Sequence, residues 1–369
     1  CKEYNWVPVR ITLENQGGNV DGRVEVSITD DAGANITYAH SINLPAASRK
    51  QVTLYIYIFH STNNLQIHFR AGKDVLASVE ARLDSIYSID RLIGVLSDHP
   101  SPYNLLADLD PPNGNSYVAP LGIMDLPEHP SAWNNLDILI ITDVDTGLLS
   151  SNQRLALDQW IVSGGRLLIV SGPHWQKTTA GLTNLLPFTP EASDSLTDLH
   201  SLVEFSHTVI PLQISSPFPV TVGDLHSHSQ VMARQDGIPL LVGNRYGWGQ
   251  VYLLTVDPVL EPLRNWDGLI DFYSSLFSTQ SATPAWAHGV TDWDSAREAA
   301  GTLPDMALPS VLGILCFLGG YAVVIGPINF LILRALKKRE LAWITIPGIV
   351  LIFSLAAILI GNISRGTRP

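Results

Sequence analysis

Cysteine is almost absent, with Cys1 and Cys316 the only two in 369 residues. Two thiols so far apart, one inside a long apolar run, exclude a disulfide framework and any cysteine-based metal site. Charge is also scarce, at 15 % of residues, and positive charge is scarcest ahead of residue 334. Residues 334–369 hold six of the 22 basic residues and one of the 34 acidic ones, leaving 16 basic against 33 acidic in the rest. So acidic a portion repels nucleic acid and excludes that partner class. Cations and cell-wall material remain possible contacts. Neither a Gly-x-Ser-x-Gly elbow nor a His-Glu-x-x-His pair occurs anywhere.

Charge is missing altogether from Met306 to Leu333 and from Leu341 to Ile363. Each run exceeds the roughly 20 residues an α-helix needs to cross a bilayer core. Between them Arg334, Lys337, Lys338 and Arg339 crowd into a turn too short to be a domain, and such basic loops stay in the cytoplasm. The sequence therefore predicts transmembrane helices over 306–336 and 341–363, with the bulk of the chain outside the cytoplasm. The lipid bilayer is the first expected partner. Pro327 is expected to kink the first span, and Trp343 to sit at the interface of the second. Neither span contains an ionisable group, Asn329 being the most polar residue of the first, which argues against a transport pathway.

Ahead of the spans the pattern changes twice. Over 1–84, period-two alternation is broken by Asn15-Gln16-Gly17-Gly18, Asp30-Asp31-Ala32-Gly33 and Thr62-Asn63-Asn64. Six strands result, Val7–Glu14, Gly22–Thr29, Ile36–Asn43, Lys50–Phe59, Leu65–Ala71 and Val75–Leu83, and they read as a β-sandwich. The stretch Leu13 to Gly18, with Ile42-Asn43-Leu44-Pro45-Ala46 and Val52-Thr53-Leu54, resembles the immunoglobulin-like modules of bacterial surface proteins. That resemblance implies a spacer or binding module. Cys1 resembles the lipid-modified cysteine of a mature lipoprotein. The favoured alternative is a fragment of a longer chain, since the topology needs export and neither an initiating Met nor a signal peptide is present.

Over 85–280 the short continuous apolar runs Leu92–Leu96 and Leu136–Thr142 read as parallel strands buried on both faces. A helix follows from the Ser150/Ser151 cap, with Leu155, Leu157, Trp160 and Ile161 as its apolar side and Gly164-Gly165 as its stop. Arg166–Val170 is the next strand, completing a βαβ unit. Gly172 to Gln235 carries less periodicity. Pro239–Val242 and Gln250–Val256 are later strands joined by a Gly-rich hairpin, the helix Trp266–Phe277 closes the domain, and 281–305 reads as a linker.

The segment Leu136–Ile141, together with Leu155–Val170 and Tyr246-Gly247-Trp248-Gly249-Gln250-Val251, resembles the class I glutamine amidotransferase-like fold, and more closely its membrane-anchored, non-enzymatic relatives. Gly326-Pro327-Ile328-Asn329-Phe330 and Arg339-Glu340-Leu341-Ala342-Trp343 are similar to uncharacterised bacterial membrane proteins with the same domain order. The resemblance implies a flavodoxin-like three-layer α/β domain. The activity it would imply needs a thiolate on the turn after a central strand. That turn reads Ser171-Gly172-Pro173-His174-Trp175, with no cysteine, so the expectation is a domain that binds and does not catalyse.

Binding residues are sought where open α/β sheets bind ligands, outside the carboxyl ends of the strands. Asp98, Asp143, Asp145 and Asp257 each follow a strand, and His174 follows the strand after Asp143. They can converge to hold a cation such as Ca²⁺ or Mg²⁺, or each can satisfy a loop amide or cap a helix. His226 and His228 share a face if extended, though a solvated loop explains them better than zinc. No cofactor is expected. The reading is an extracytoplasmic scaffold with a membrane or envelope protein as partner. A metal-dependent hydrolase and an auxiliary transporter subunit are the alternatives.

Overall fold

Alternating apolar residues give the first 84 residues two sheets over one core. The computed structural model describes residues 1–60, 62–111, 114–277, 311–336 and 339–364. Strands β1 (Trp6–Asn15) and β4 (Ser48–Tyr57) pair antiparallel as one sheet. The other has the order β3-β2-β5-β6, from β2 (Val20–Thr29), β3 (Asn35–Leu44), β5 (Asn64–Ala71) and β6 (Asp74–Arg82). All six lie within two residues of the expected bounds. Ile11, Val52, Leu54 and Ile56 from the first sheet meet Val24, Val26, Leu65 and Phe69 from the second. Their burial removes the apolar face of each sheet from water, the main favourable term in folding.

The N-terminal residues stitch this module to the next. Lys2 pairs with Ile86 as a parallel bridge, and its ammonium, 6 % exposed as a residue, lies 2.6 Å from Asp137 Oδ2. Asn135 accepts from Lys2 N at 3.0 Å and donates to the Trp6 carbonyl. Asp137 also accepts from Leu92 N at 2.7 Å, at the start of the central sheet. The two modules therefore form one compact unit.

The second module is built on a seven-stranded sheet of order β13-β14-β15-β10-β9-β7-β8. Strands β7 (Arg91–Leu96), β8 (Ser116–Leu121), β9 (Ile138–Thr142), β10 (Arg166–Val170) and β15 (Gly249–Leu254) run parallel. Antiparallel β14 (Ile238–Tyr246) and β13 (Gln230–Gln235) finish one edge. Successive residues point to opposite faces, so Ile138, Ile140, Leu168 and Val170 enter one core while Leu139, Ile141, Leu167 and Ile169 enter another. Helix α1 (Ser151–Val162) covers the second core. Helix α4 (Leu269–Phe277) and the 3₁₀ turn Ser101–Asp108 cover the first. Short helices α2 (Trp175–Thr179) and α3 (His200–Phe205) complete the domain.

Several details differ from the sequence reading. Leu155, expected on the buried side of α1, is 57 % exposed. Residues 155 and 157 lie about 200° apart around a helix, so they cannot share a face. Gln153 and Ala156 fill the inner side with Leu157, Trp160 and Ile161. The expected cap is present, since Ser150 Oγ accepts from Gln153 N and Gln153 Oε1 accepts from Ser150 N. The low-periodicity middle contains an antiparallel pair of strands, β11 (Phe188–Leu196) and β12 (Phe218–Leu225), with α3 between them in sequence, and β8 was not legible at all. Strands β14 and β15 extend into the Gly-rich stretch, leaving Gly247-Trp248 as the turn, with Gly247 at φ +64°. Trp266 precedes α4, which begins at Leu269.

The described residues beyond 310 are helical. Val311–Val323 continues through a π-turn at Val324–Ile328 into Asn329–Ala335, and Pro327 lies inside that turn. Proline cannot donate to the helical ladder, and the ladder shifts to π spacing there. Within this course Leu315–Ala335 is 21 residues of sufficient length and hydropathy to cross a membrane. A second helix, Ala342–Ser364, packs on it through Phe317 and Tyr321 against Phe353, with ring centroids 5.5 and 5.2 Å apart. The linker 281–305, residues 306–310 and Lys337-Lys338 lie outside the described residues.

Candidate functional site

The strand order places a reversal between β7 and β9. The connection from β7 leads to β8 on one side, while the chain later returns to add β9, β10 and β15 on the other. Such a reversal leaves a crevice at the carboxyl ends of the two strands, because the following loops diverge. Asp98 and His99 leave β7, Asp143 leaves β9, Gly172 and His174 leave β10, and Asp257 leaves β15.

Lys177, on α2, links this rim. Its ammonium is 2.7 Å from Asp143 Oδ1 and 3.8 Å from Asp98 Oδ2, and His99 Nδ1 lies 3.6 Å from Asp143 Oδ2. Burial raises the Asp143 carboxyl, but the bond to Lys177 and the nearby His174 and His99 outweigh it and hold the group below its ordinary range. The same bond raises the Lys177 ammonium. Asp143 itself sits at φ +45°, a conformation rare for a residue with a Cβ and concentrated at functional positions.

Asp257 behaves in the opposite sense. Burial, with the Asp143 charge adding to it, raises its carboxyl despite the bond from Val259 N at 3.0 Å and the proximity of His174. Gly172 lies against it at φ +45°, and a Cβ there would stand 3.0 Å from Asp257 Cβ. Beneath the rim is Tyr103, 2 % exposed, whose phenol is raised by burial and by Asp257 and Asp143. Tyr273, also fully buried, feels Tyr103 and Asp257.

The five expected residues therefore gather at one end of the sheet, but not as a cation cage. Asp145 accepts from Gly147 N at 2.9 Å, closing its own turn, and Asp257 is engaged by Val259. Among the described residues, no three His, Cys, Asp or Glu groups come together at metal-binding distance. Lys177 and His99 were missed by the sequence reading. The signal for Lys177 was available in principle, as a lone cation one turn beyond His174. Ser171, on the turn after β10, is 2 % exposed and donates its hydroxyl to the Leu254 carbonyl at 3.1 Å. His226 Nε2 contacts Thr189 Oγ1 at 2.7 Å and His228 is solvated, so the pair forms no site.

Residues 1–84 match a protein family described as a domain of unknown function, DUF8726. No curated protein matches the chain. Among solved structures, cytoplasmic protein STM1381 from Salmonella typhimurium LT2 is 16 % identical over 58 % of this chain and 95 % of its own, with a TM-score of 0.38. Cytoplasmic protein STM3548 from Salmonella typhimurium is 13 % identical over 58 % of this chain and 94 % of its own, with a TM-score of 0.36. A β-galactosidase from Rahnella sp. R3 is 15 % identical over 53 % of this chain and 31 % of its own, with a TM-score of 0.31. Likeness at these levels says nothing about activity.

Proposed function

We propose that the chain is a membrane-anchored, extracytoplasmic binding protein, an accessory or scaffold subunit of a bacterial cell-envelope complex. Its outer portion would be an immunoglobulin-like module followed by an amidotransferase-like, flavodoxin-like domain that binds at its strand ends and has lost catalysis. The observation that carries the reading is the nucleophile position. In place of a thiolate stands a buried serine whose hydroxyl is committed to a main-chain carbonyl. The parallel strand order, with the β7/β9 reversal beside the rim, supports the fold assignment. The two apolar helices support anchoring, and the basic loop between their sequences supports the orientation.

A photo-crosslinking residue placed at Asp98, 61 % exposed on its side chain, tests the binding surface in cells. A discrete envelope-protein adduct at position 98 is expected, with none from Tyr117 near the opposite end of the strands. Equal labelling at both positions, or none, would refute a rim-specific partner.

The hydrolase reading keeps one observation in its favour, the oppositely shifted carboxyls of Asp143 and Asp257 on one rim. Titration of the protein with Ca²⁺, Mg²⁺ and Zn²⁺ decides it. Tight binding abolished by Asp143→Ala would favour the hydrolase, and no binding would favour the scaffold.

A further inference from the structure

Strands β7 and β10 each begin with an arginine, at the end of the sheet opposite the rim. Alternation along a strand fixes the face these side chains share. Arg91 and Arg166 stand two residues before Ile93 and Leu168, which enter the core beneath α4. Ile138 of β9 is level with both Ile93 and Arg166, so one strand separates the two arginines at the margin of that face. Ser116, the first residue of β8, lies beside Arg91 and two residues before Val118, which packs on the same core. Ser116 is 6 % exposed, and its buried hydroxyl has no hydrogen-bond partner among the described residues. A buried hydroxyl left unpaired is destabilising, so its presence calls for an explanation. On the other side, Gln250 of β15 lies beside Arg166 and opposite the exposed Arg245 of β14, which extends the positive row.

The charges at this margin do not balance. Arg166 donates to the Phe277 carbonyl, the end of α4, at 2.8 Å, and the Arg91 guanidinium has no hydrogen bond or ion pair among the described residues. The carboxylate that acts on both is Asp137. It is already engaged, since its two oxygens lie 2.8 and 2.6 Å from Lys2 Nζ and Oδ2 accepts from Leu92 N at 2.7 Å. Asp90, beside Arg91 in sequence, accepts from Tyr87 N and Asn115 N at 3.0 and 2.8 Å. Burial lowers both guanidiniums, and the Arg91 charge adds to the lowering of Arg166. Half-buried like charges held this way are costly unless an anion offsets them. We infer that this margin is a site for a phosphate group, gripped by the Arg91 and Arg166 guanidiniums with the Ser116 hydroxyl as a further donor. The planar fork of arginine matches phosphate oxygens two at a time. A phosphate monoester carries about two negative charges near neutral pH, so it answers two guanidiniums where a carboxylate answers one. Its remaining oxygen takes the hydroxyl that the fold leaves unpaired. A soluble phosphate ester and an anionic phospholipid headgroup present the same group, and the two sources are separable.

Calorimetric titration of the full chain in a neutral detergent, first with inorganic phosphate and then with monomeric dihexanoyl phosphatidic acid, tests the site. Saturable binding of one phosphate group per chain is expected. Arg91→Gln should weaken it roughly tenfold or more and Ser116→Ala about threefold, as loss of a charged and of a neutral hydrogen bond would. Arg91→Lys, which keeps the charge without the fork, should fall between the parent and Arg91→Gln. Arg154→Gln, exposed on α1 against the other face, should bind as the parent does. Phosphatidic acid binding roughly tenfold tighter than phosphate, with dihexanoyl phosphatidylcholine silent, identifies the headgroup as the source. Equal affinities identify a soluble phosphate ester. Thermal unfolding separates a binding cation from a structural one: without phosphate Arg91→Gln should be at least as stable as the parent, and saturating phosphate should stabilise the parent alone. The inference is overturned if neither phosphate nor phosphatidic acid binds, if Arg91→Gln binds as well as the parent, or if Arg91→Gln is destabilised equally with and without phosphate.

Discussion

Replacing Asn135 by alanine tests whether the two outer modules stand or fall together. The amide is 7 % exposed and makes contacts that nothing else supplies. Its oxygen accepts from Lys2 N at 3.0 Å, and its nitrogen donates to the Trp6 and Ala132 carbonyls. Truncation leaves the Lys2 amide and the Trp6 carbonyl without their partner at the seam. Each buried polar group left unpaired costs about 1–3 kcal/mol, so the loss for the two should be roughly 2–6 kcal/mol. The adjacent bond between Lys2 and Asp137, 2.6 Å long, depends on the same placement of the N-terminal segment and should weaken with it. Urea unfolding of the protein in detergent, followed by tryptophan fluorescence, should shift to lower denaturant. The N-terminal module should then begin to unfold ahead of the α/β domain. A midpoint for Asn135→Ala indistinguishable from the parent would refute the view that this amide joins the modules.

Two further outcomes follow from the rim and from α1. Asp257 is raised in the folded protein, so that state binds the extra proton and stability falls as pH climbs from the ordinary carboxyl pKa through the raised one. Asp257→Asn removes that penalty while retaining an oxygen for Val259 N. It should therefore be more stable than the parent at neutral pH, with the gain vanishing in acid below about pH 4, near the unfolded carboxyl pKa. Unfolding curves at several pH values check this, and a constant difference across them would contradict it. Leu155→Glu should change stability by no more than about 0.5 kcal/mol, as surface substitutions do. Leu157→Ala, at a residue 1 % exposed, should cost about 2–5 kcal/mol. Similar losses in the two would contradict the placement of α1.

The N-terminal strands were legible because strict alternation and short Gly/Asn/Asp turns leave few alternatives for period-two segments. The central parallel strands were legible for a different reason, since Leu92–Leu96 and Ile138–Ile141 are apolar throughout. Strand β8 was not, because Ser116-Tyr117-Val118-Ala119-Pro120-Leu121 is an edge with mixed exposure and an internal proline. The antiparallel pair of β11 and β12 hid behind polar residues for the same reason: only Phe188, Pro190 and Leu196 of β11 are buried. At the rim, position was readable from the rule that sites follow strand ends. Partnership was not, because the bond from Lys177 to Asp143 depends on how α2 sits after β10 and on the left-handed backbone of Asp143. Leu155 shows a different limit, where an apolar residue near good core positions fell on the wrong side of the helix.

Protease protection tests the central claim of an anchored, outward-facing protein most directly. Spheroplasts expressing the full chain would be treated with proteinase K and probed for the N-terminal module. The proposal predicts that the module is lost from intact spheroplasts while a cytoplasmic marker survives, and that the remaining C-terminal fragment stays with the membrane after alkaline washing. Protection of the module until the spheroplasts are lysed would contradict the orientation, and release of the whole chain by the wash would contradict the anchor.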